Sequence, residues 1–253
     1  MNYKELASIV DTAAAEANAV EQLSQSKEFT VDEAYEIQKE AINFRYDRNE
    51  QFIGVKLGFT SKAKMEQMGV HDMIWGILTD AMLYENGATL PLSKFIHPRA
   101  EPEICFRTSK ALPAELTLET APDYIDGVAA AIEIIDSRYK NFKFSLEDVI
   151  ADNCSSSGLV IGAWHPVDTP VNHLAIQMEF DGKEVAAGNS NAILGNPWES
   201  VVAAARLTAQ YGQEVPAGSL IMAGAATAAV FLESGKKVVA KVEGLGEVNF
   251  LPQ

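Results

Sequence analysis

The spacing of apolar positions changes character near residue 50. Before it, Leu6 to Leu23 is alanine-rich with helical spacing, and Thr30-Val31-Asp32-Glu33 has the form of a capping box ahead of a second helical run through Tyr35, Ile37 and Ile42. From Phe52 onward, short apolar segments alternate with Gly, Pro and Asn, at 52–57, 104–106, 128–135, 159–161, 174–180, 219–223, 228–232 and 238–242. These predict strands. Asp181-Gly182 predicts a hairpin turn, and Asn196-Pro197-Trp198-Glu199 opens one more helix that runs to Tyr211 and stops at Gly212. Helices first and then mostly strands predict an α+β fold, with a helical segment over 1–50 and a β-rich body over 51–253.

Composition narrows the partners. A chain of 253 residues with 47% hydrophobic content can bury a full core. Its net charge of −15, with no block of Lys or Arg to offset it, argues against nucleic acid and anionic membrane surfaces, leaving small molecules or proteins. Cys105 and Cys154 form no CxxC pair, the start Met-Asn-Tyr-Lys-Glu-Leu lacks the apolar core of a signal peptide, and no apolar run reaches membrane-spanning length. The expected location is the cytoplasm.

Glu101-Pro102-Glu103 carries the sharpest chemistry. On a strand the two glutamates point to one face, and Glu133, set in the apolar run Val128 to Ile135, could join them from a neighbouring strand. Three converging carboxylates in a partly buried cleft need a compensating cation, and oxygen-only ligation favours Mg²⁺ or Mn²⁺. With 35 acidic residues in the chain, a solvated Glu-x-Glu pair is the competing reading, but Glu133 among alanines and isoleucines is not a solvated position. Lys56, between Gly54 and Gly58 in an apolar strand, reads either as an edge lysine or, beside the carboxylates, as a proton-transfer group whose pKa burial lowers. Asp80 could balance its charge or cap a turn. The polar loop 152–158 could bind carboxylate oxygens or be an ordinary connection. The four histidines show no metal spacing, no GxSxG occurs, nothing local activates Cys154, and Gly244-Leu245-Gly246 lacks the context of a dinucleotide fingerprint.

Five ordered motifs carry a resemblance. Gly54-Val55-Lys56-Leu57-Gly58-Phe59-Thr60, Ile77-Leu78-Thr79-Asp80-Ala81-Met82, Pro98-Arg99-Ala100-Glu101-Pro102-Glu103, Ile132-Glu133-Ile134-Ile135-Asp136-Ser137-Arg138 and Ala151-Asp152-Asn153 together resemble the hydratase/decarboxylase branch of the fumarylacetoacetate hydrolase superfamily, over nearly the whole chain. The resemblance implies a mixed β-sheet roll as the catalytic body, and Mg²⁺ or Mn²⁺ held by Glu101, Glu103 and Glu133. It implies catalytic roles for Lys56 and Asp80, and a substrate pocket that includes Ser155, Ser156, Thr227 and Leu78. The substrate it implies is a small 2-oxo acid from aromatic degradation, and the assembly a homo-oligomer or a complex of decarboxylase with the hydratase that follows it.

Two activities share that framework: decarboxylation of 2-oxohex-3-enedioate, and hydration of the resulting 2-hydroxypenta-2,4-dienoate. The hydratases carry an aspartate where this chain has Ile74, with Asp72 two positions away. Losing that acid-base group fits decarboxylation, which needs no attacking water. The stretches 61–70, 139–144 and 227–230 also look more like the decarboxylases. Segment 61–75, with Met65, Met68, Val70 and Ile74, is expected to be either a lid over the bound dicarboxylate or a surface helix.

Overall fold

A computed structural model describes residues 2–60 and 73–253. Two helices come first, α1 (Tyr3–Glu16) and α2 (Val31–Asp47). The capping box at α2 is formed: the Glu33 N–H donates to Thr30 Oγ1 and the Thr30 N–H to Glu33 Oε2. The first helix is shorter than its alanine-rich pattern predicts, ending at Ala17 in a left-handed conformation. Tertiary pairing ends it, because the Val20 N–H donates to the Arg138 carbonyl and the Val20 carbonyl accepts from Lys140.

The body is two sheets. Strands β1 (Phe52–Gly58), β2 (Ile74–Thr79), β3 (Leu83–Tyr84), β5 (Arg99–Thr108), β6 (Ile125–Ile135), β7 (Ser156–Ile161) and β10 (Leu220–Met222) lie in the order β2-β1-β10-β5-β6-β7-β3, with β11 (Val230–Phe231) also pairing β5. Strands β4 (Thr89–Leu90), β8 (Ala175–Phe180), β9 (Lys183–Asn189), β12 (Val238–Val242) and β13 (Gly246–Pro252) form the second sheet, in the order β4-β13-β12-β8-β9. Both parallel and antiparallel pairs occur, so the α+β expectation of a curled mixed sheet behind an N-terminal helical segment holds. The predicted hairpin at Asp181-Gly182 joins β8 to β9. Helices α3 (Leu146–Ala151) and α4 (Trp198–Gln210) complete the layers, α3 against α2 and α4 against β1 and β2. Among the described residues no helix is long and apolar enough to cross a membrane.

Pro102 sits inside the paired strand β5, a position that normally excludes proline. The neighbouring ladder is interrupted there. Pairing with β10 ends at Cys105 and pairing with β11 begins at Ala100, so on that side Pro102 faces the connection between them and its carbonyl accepts from the Ala226 N–H. A missing N–H costs little at such a gap.

Most apolar side chains form one large cluster that includes α1, α2, the outer face of the first sheet and the second sheet. A smaller cluster of Leu78, Met82, Cys105, Ala131, Leu159, Leu220 and Met222 lies on the other face. Register places Lys56 opposite Met222, Met222 opposite Cys105, and Glu101 opposite Glu133, so the charged residues share this inner face.

Gly54 lets β1 approach β10, since a Cβ on it would lie 2.1 Å from the Leu220 carbonyl oxygen. Backbone cannot yield as a flexible side chain does. Gly54→Ala is therefore expected to lower the unfolding free energy by about 3 kcal/mol. Urea denaturation measures it, and a loss within experimental error would show that the two strands can separate freely.

Candidate metal centre and active site

Glu101 and Glu133 are directly opposed across β5 and β6, and Glu103 is the next residue on the same face. One carboxylate oxygen from each lies within 4.8 Å of the others. All three are buried, at 8%, 0% and 1% relative exposure for Glu101, Glu103 and Glu133, which decides against a solvated acidic patch. Glu103 Oε2 accepts from the Gly224 N–H at 2.9 Å, whereas Glu103 Oε1 and both Glu133 oxygens have no hydrogen-bond partner. Burial first, then the charges of the other two glutamates, pushes the Glu103 carboxyl well above the ordinary range; burial also raises Glu133, with Lys56 pulling against it.

Lys56 is the counter-charge. Its Nζ lies 3.1 Å from Glu133 Oε1, as an ion pair without hydrogen-bond alignment, and donates to the Cys154 carbonyl at 3.1 Å. Burial alone would lower its pKa, as expected from the sequence. The attraction of Glu133, with Cys154, Glu103 and Glu101 behind it, outweighs burial and raises it instead. Glu133 pairs with Lys56, yet Glu103 Oε1 and both Glu133 oxygens receive no hydrogen bond, so the buried acidic oxygens exceed the donors that meet them among the described residues. An oxygen donor set with that deficit fits a divalent hard cation.

The turn Asn153-Cys154-Ser155 that aims the carbonyl at Lys56 is left-handed at all three residues, with φ of 49°, 53° and 58°. Such a turn must be held from outside. Asn153 does so by imitating a strand: its side chain accepts from the Ile77 N–H at 2.7 Å and donates to the Ile77 carbonyl at 2.9 Å. Buried Asp152 pairs with the Arg138 backbone and guanidinium, and Arg138 also donates to the Asp136 carbonyl and Ser157 Oγ. Burial, opposed by Arg138, pushes Asp152 up to about 6. Asp136 in turn accepts from the Ile96 and His97 N–H groups. The thiol of Cys154 donates to the Trp75 carbonyl, and burial pushes it up to about 12, so it is no nucleophile.

A cleft of about 460 Å³ opens above the carboxylates, lined among the described residues by Lys56, Glu101, Ser155, Ile74, Phe144 and Arg99, among others. Ser155 Oγ is buried there without a partner. Arg99 is sandwiched, its Cζ 4.0 Å from the Phe142 ring centroid and 4.1 Å from that of Phe231.

The fumarylacetoacetate hydrolase C-terminal family model matches residues 53–250, from β1 into β13 and without the N-terminal helices. The chain belongs to the fumarylacetoacetate hydrolase family. It is 51% identical over 250 residues to a 4-oxalocrotonate decarboxylase of Pseudomonas sp., covering 99% of this chain and 98% of that one. The structure of 4-oxalocrotonate decarboxylase from Pseudomonas putida G7, complexed with magnesium and adipate, superposes with a TM-score of 0.95 at 35% identity, covering 99% of this chain and 97% of that one. A 2-hydroxyhexa-2,4-dienoate hydratase of Comamonas testosteroni is 35% identical, over 87% of this chain and 85% of that one.

Within this fumarylacetoacetate hydrolase fold, not every residue expected at the site is brought to it. Asp80 is exposed at the far end of β2, where its Oδ1 accepts from the Gln51 and Ala81 N–H groups. Lys56 pairs with Gly76, so Asp80 lies four residues, or roughly 13 Å, along the strand from it. It caps a turn and holds no charge on Lys56. Leu78 has the correct face but packs in the inner apolar cluster, outside the cleft lining. Thr227 turns its hydroxyl to the Ala228 carbonyl, while Ala228 and Ala229 line the cleft. Ser156 Oγ is buried without a partner and lies against Gly76, beneath the lining. Ile74 does line the cleft; Met65, Met68 and Val70 lie outside the described residues, and with them the choice between lid and surface helix. Asn153, Arg138 and Arg99 gave no functional signal of their own in the sequence beyond belonging to the quoted motifs.

Opposite signs test the carboxylate cluster. Glu103→Gln removes a buried like charge, so the metal-free variant should melt higher than wild type. Its apparent Kd for Mn²⁺, read from the rise in Tm during titration, should increase about tenfold or more. An unchanged Mn²⁺ response in Glu101→Gln, Glu103→Gln and Glu133→Gln alike would remove the cation from this site.

Proposed function

We propose that this chain is a metal-dependent carboxy-lyase that converts 2-oxohex-3-enedioate to 2-hydroxypenta-2,4-dienoate and CO₂. The observation that carries the reading is the buried triad of carboxylates with orphaned oxygens beside Lys56, in a chain half identical to a 4-oxalocrotonate decarboxylase along nearly its full length. Glu101, Glu103 and Glu133 would hold Mg²⁺ or Mn²⁺, consistent with the magnesium bound to the relative from P. putida G7. When bound there, the cation supplies Lewis acidity that withdraws electron density from the 2-oxo group of the substrate.

The chain's own groups do the rest. The distal carboxylate is vinylogous to the oxo group, so when the C5–C6 bond breaks its electron pair spreads through the diene to the C2 oxygen and CO₂ departs neutral. Lys56, fixed by the Cys154 carbonyl, is placed to stabilise the charge arriving on that oxygen and to deliver the proton that completes the dienol. Ser155 Oγ, buried at the cleft without a partner, offers a further hydrogen bond. Ile74, Val149, Phe142 and Phe144 make the remaining wall apolar. Besides Glu101, the titratable groups among the described lining residues are Lys56, Arg99 and Cys154, and none is a carboxylate free to activate water. That favours decarboxylation over hydration. The adipate in the P. putida G7 relative supports a six-carbon dicarboxylate as ligand. A homo-oligomer, or association with the hydratase that consumes the dienol, belongs to the same proposal and is supported by exposed Ile9 and Tyr46 on the N-terminal helices. A cytoplasmic address is consistent with two free, buried thiols.

Incubation of the Mg²⁺-loaded protein with 2-oxohex-3-enedioate, and separately with 2-hydroxypenta-2,4-dienoate, is expected to give rapid CO₂ release and little or no hydration. A hydration rate equal to or above the decarboxylation rate would reverse the assignment. Lys56→Met should lower kcat by about 10² or more while Mn²⁺ still binds. If kcat holds and only KM rises, Lys56 binds substrate and does no chemistry.

A further inference from the structure

A six-carbon 2-oxo diacid has two charged ends, and the carboxylate triad with its cation accounts for only one. The other end must find a positive charge or be left unpaired in a cleft whose wall is largely apolar. Among the described lining residues the cations are Lys56 and Arg99, and Lys56 is committed to Glu133 and the Cys154 carbonyl. Arg99 precedes Glu101 by two residues on β5, so both project from one face, about 6.7 Å apart along the strand. The C2-to-C6 span of the diacid is roughly 5 Å, from four carbon–carbon bonds near tetrahedral angle. A molecule anchored at Glu101 through its 2-oxo end therefore reaches Arg99 with its other end.

The guanidinium is set up for such a ligand. Cζ lies over the Phe142 and Phe231 rings, 4.0 and 4.1 Å from their centroids, which confines the guanidinium. Rings offer its N–H groups no carboxylate or carbonyl acceptor. Nε is buried without a hydrogen-bond partner, and the charge is met by the nearby Glu101 carboxylate through electrostatics alone. Its terminal nitrogens thus present a preoriented fork to an incoming carboxylate.

We propose that Arg99 is the specificity-determining residue that recognises the distal carboxylate and restricts the enzyme to 2-oxo dicarboxylates. This rests on the decarboxylase reading above for the nature of the substrate. It also has a kinetic signature. The recognised carboxylate is the leaving group: its charge departs through the C5–C6 bond pair toward the C2 oxygen, so the guanidinium holds the ground state more tightly than the transition state. Arg99 supplies binding and orientation, and its grip disappears as neutral CO₂ forms.

Two analogues that differ only in the distal carboxylate, 2-oxoadipate and 2-oxohexanoate, test this by calorimetric titration of the Mn²⁺-loaded protein. Wild type is expected to prefer 2-oxoadipate on the order of 10- to 100-fold, the range for hydrogen bonds to a charged group. Arg99→Met should bring that ratio near one with 2-oxohexanoate affinity unchanged, and Arg99→Lys, which keeps the charge and loses the fork, should fall between. In turnover Arg99→Met should raise KM far more than it lowers kcat. A wild-type ratio near one, a ratio retained in both variants, or equal loss for both analogues would overturn the proposal, the last showing that Arg99 merely supports the fold. Should Arg99→Met fail to fold, the Arg99→Lys ratio decides alone. Arg99-dependent preference for 2-oxoadipate in a wild-type protein that releases no CO₂ would instead sink the decarboxylase reading and leave the recognition site standing.

Discussion

Three carboxylates gathered inside a protein repel one another and resist leaving water, and much of the architecture around Glu101, Glu103 and Glu133 contains that cost. At an effective dielectric constant near 20, charges 4 Å apart interact by about 4 kcal/mol, so one lysine offsets only part of three mutual repulsions. Lys56 answers for Glu133, and the oxygens of Glu103 and Glu133 that receive no hydrogen bond suit a cation. Lys56 itself is buried and needs an acceptor besides Glu133. The Cys154 carbonyl supplies it, and a carbonyl can point there only because three successive residues adopt left-handed backbone. That strain is carried by the hydrogen bonds of Asn153 to β2 and by the Asp152–Arg138 pair, so the buried Lys56 and a buried salt bridge belong to one chain of necessity.

The sheet contributes an interruption as well as a scaffold. Between β10 and β11 the ladder along β5 is open, and two features of the site use the opening. Pro102 can stand between Glu101 and Glu103 because its missing N–H faces that gap. The connection that crosses it delivers the Gly224 N–H to Glu103 Oε2, which fixes one oxygen and leaves the other directed into the cluster. Gly224 has φ of 103°, and a Cβ there would meet Thr60 Oγ1 at 2.2 Å, so glycine is required for both its conformation and its surroundings. An unbroken sheet would satisfy its backbone and have no donor to spare for a carboxylate.

What could be read from the sequence follows from how local each signal is. Glu133 announces itself because an acid inside Val-Ala-Ala-Ala-Ile-Glu-Ile-Ile is costly wherever the chain folds, and Lys56 does so for the same reason. Asp80 misled, because a carboxylate at a strand end looks alike whether it caps a turn or enters a site; only the β1–β2 register, which sets Lys56 against Gly76, separates the cases. Leu78 entered through the family resemblance, and a motif says nothing of how deep a side chain packs: it lies in the inner apolar cluster. Arg99, Phe142 and Phe231 come from three distant segments that meet through β5–β11 pairing and a left-handed residue at 142, and a guanidinium between two rings leaves no spacing to find. The long alanine run before Leu23 was helical by propensity and was cut by pairing with residues 138–140, a contact more than a hundred positions away.

Decarboxylation and hydration begin alike, with a 2-oxo acid polarised at one end, and diverge in what the other wall of the cleft provides. Hydration needs a group to activate water and aim it at carbon; decarboxylation needs that wall dry. Ile74 is an apolar part of that wall and sits in a fitted pair: it faces Gly58 across β1 and β2, and a Cβ on Gly58 would lie 2.8 Å from Ile74 Cγ1. The absent side chain of one strand is the space that the branched side chain of the other fills. An acid placed at 74 would therefore meet a surface shaped for isoleucine, so the identity of one residue is tied to the glycine opposite. On the decarboxylase reading, the packing of β1 on β2 works in the same direction as the titratable groups of the described cleft lining.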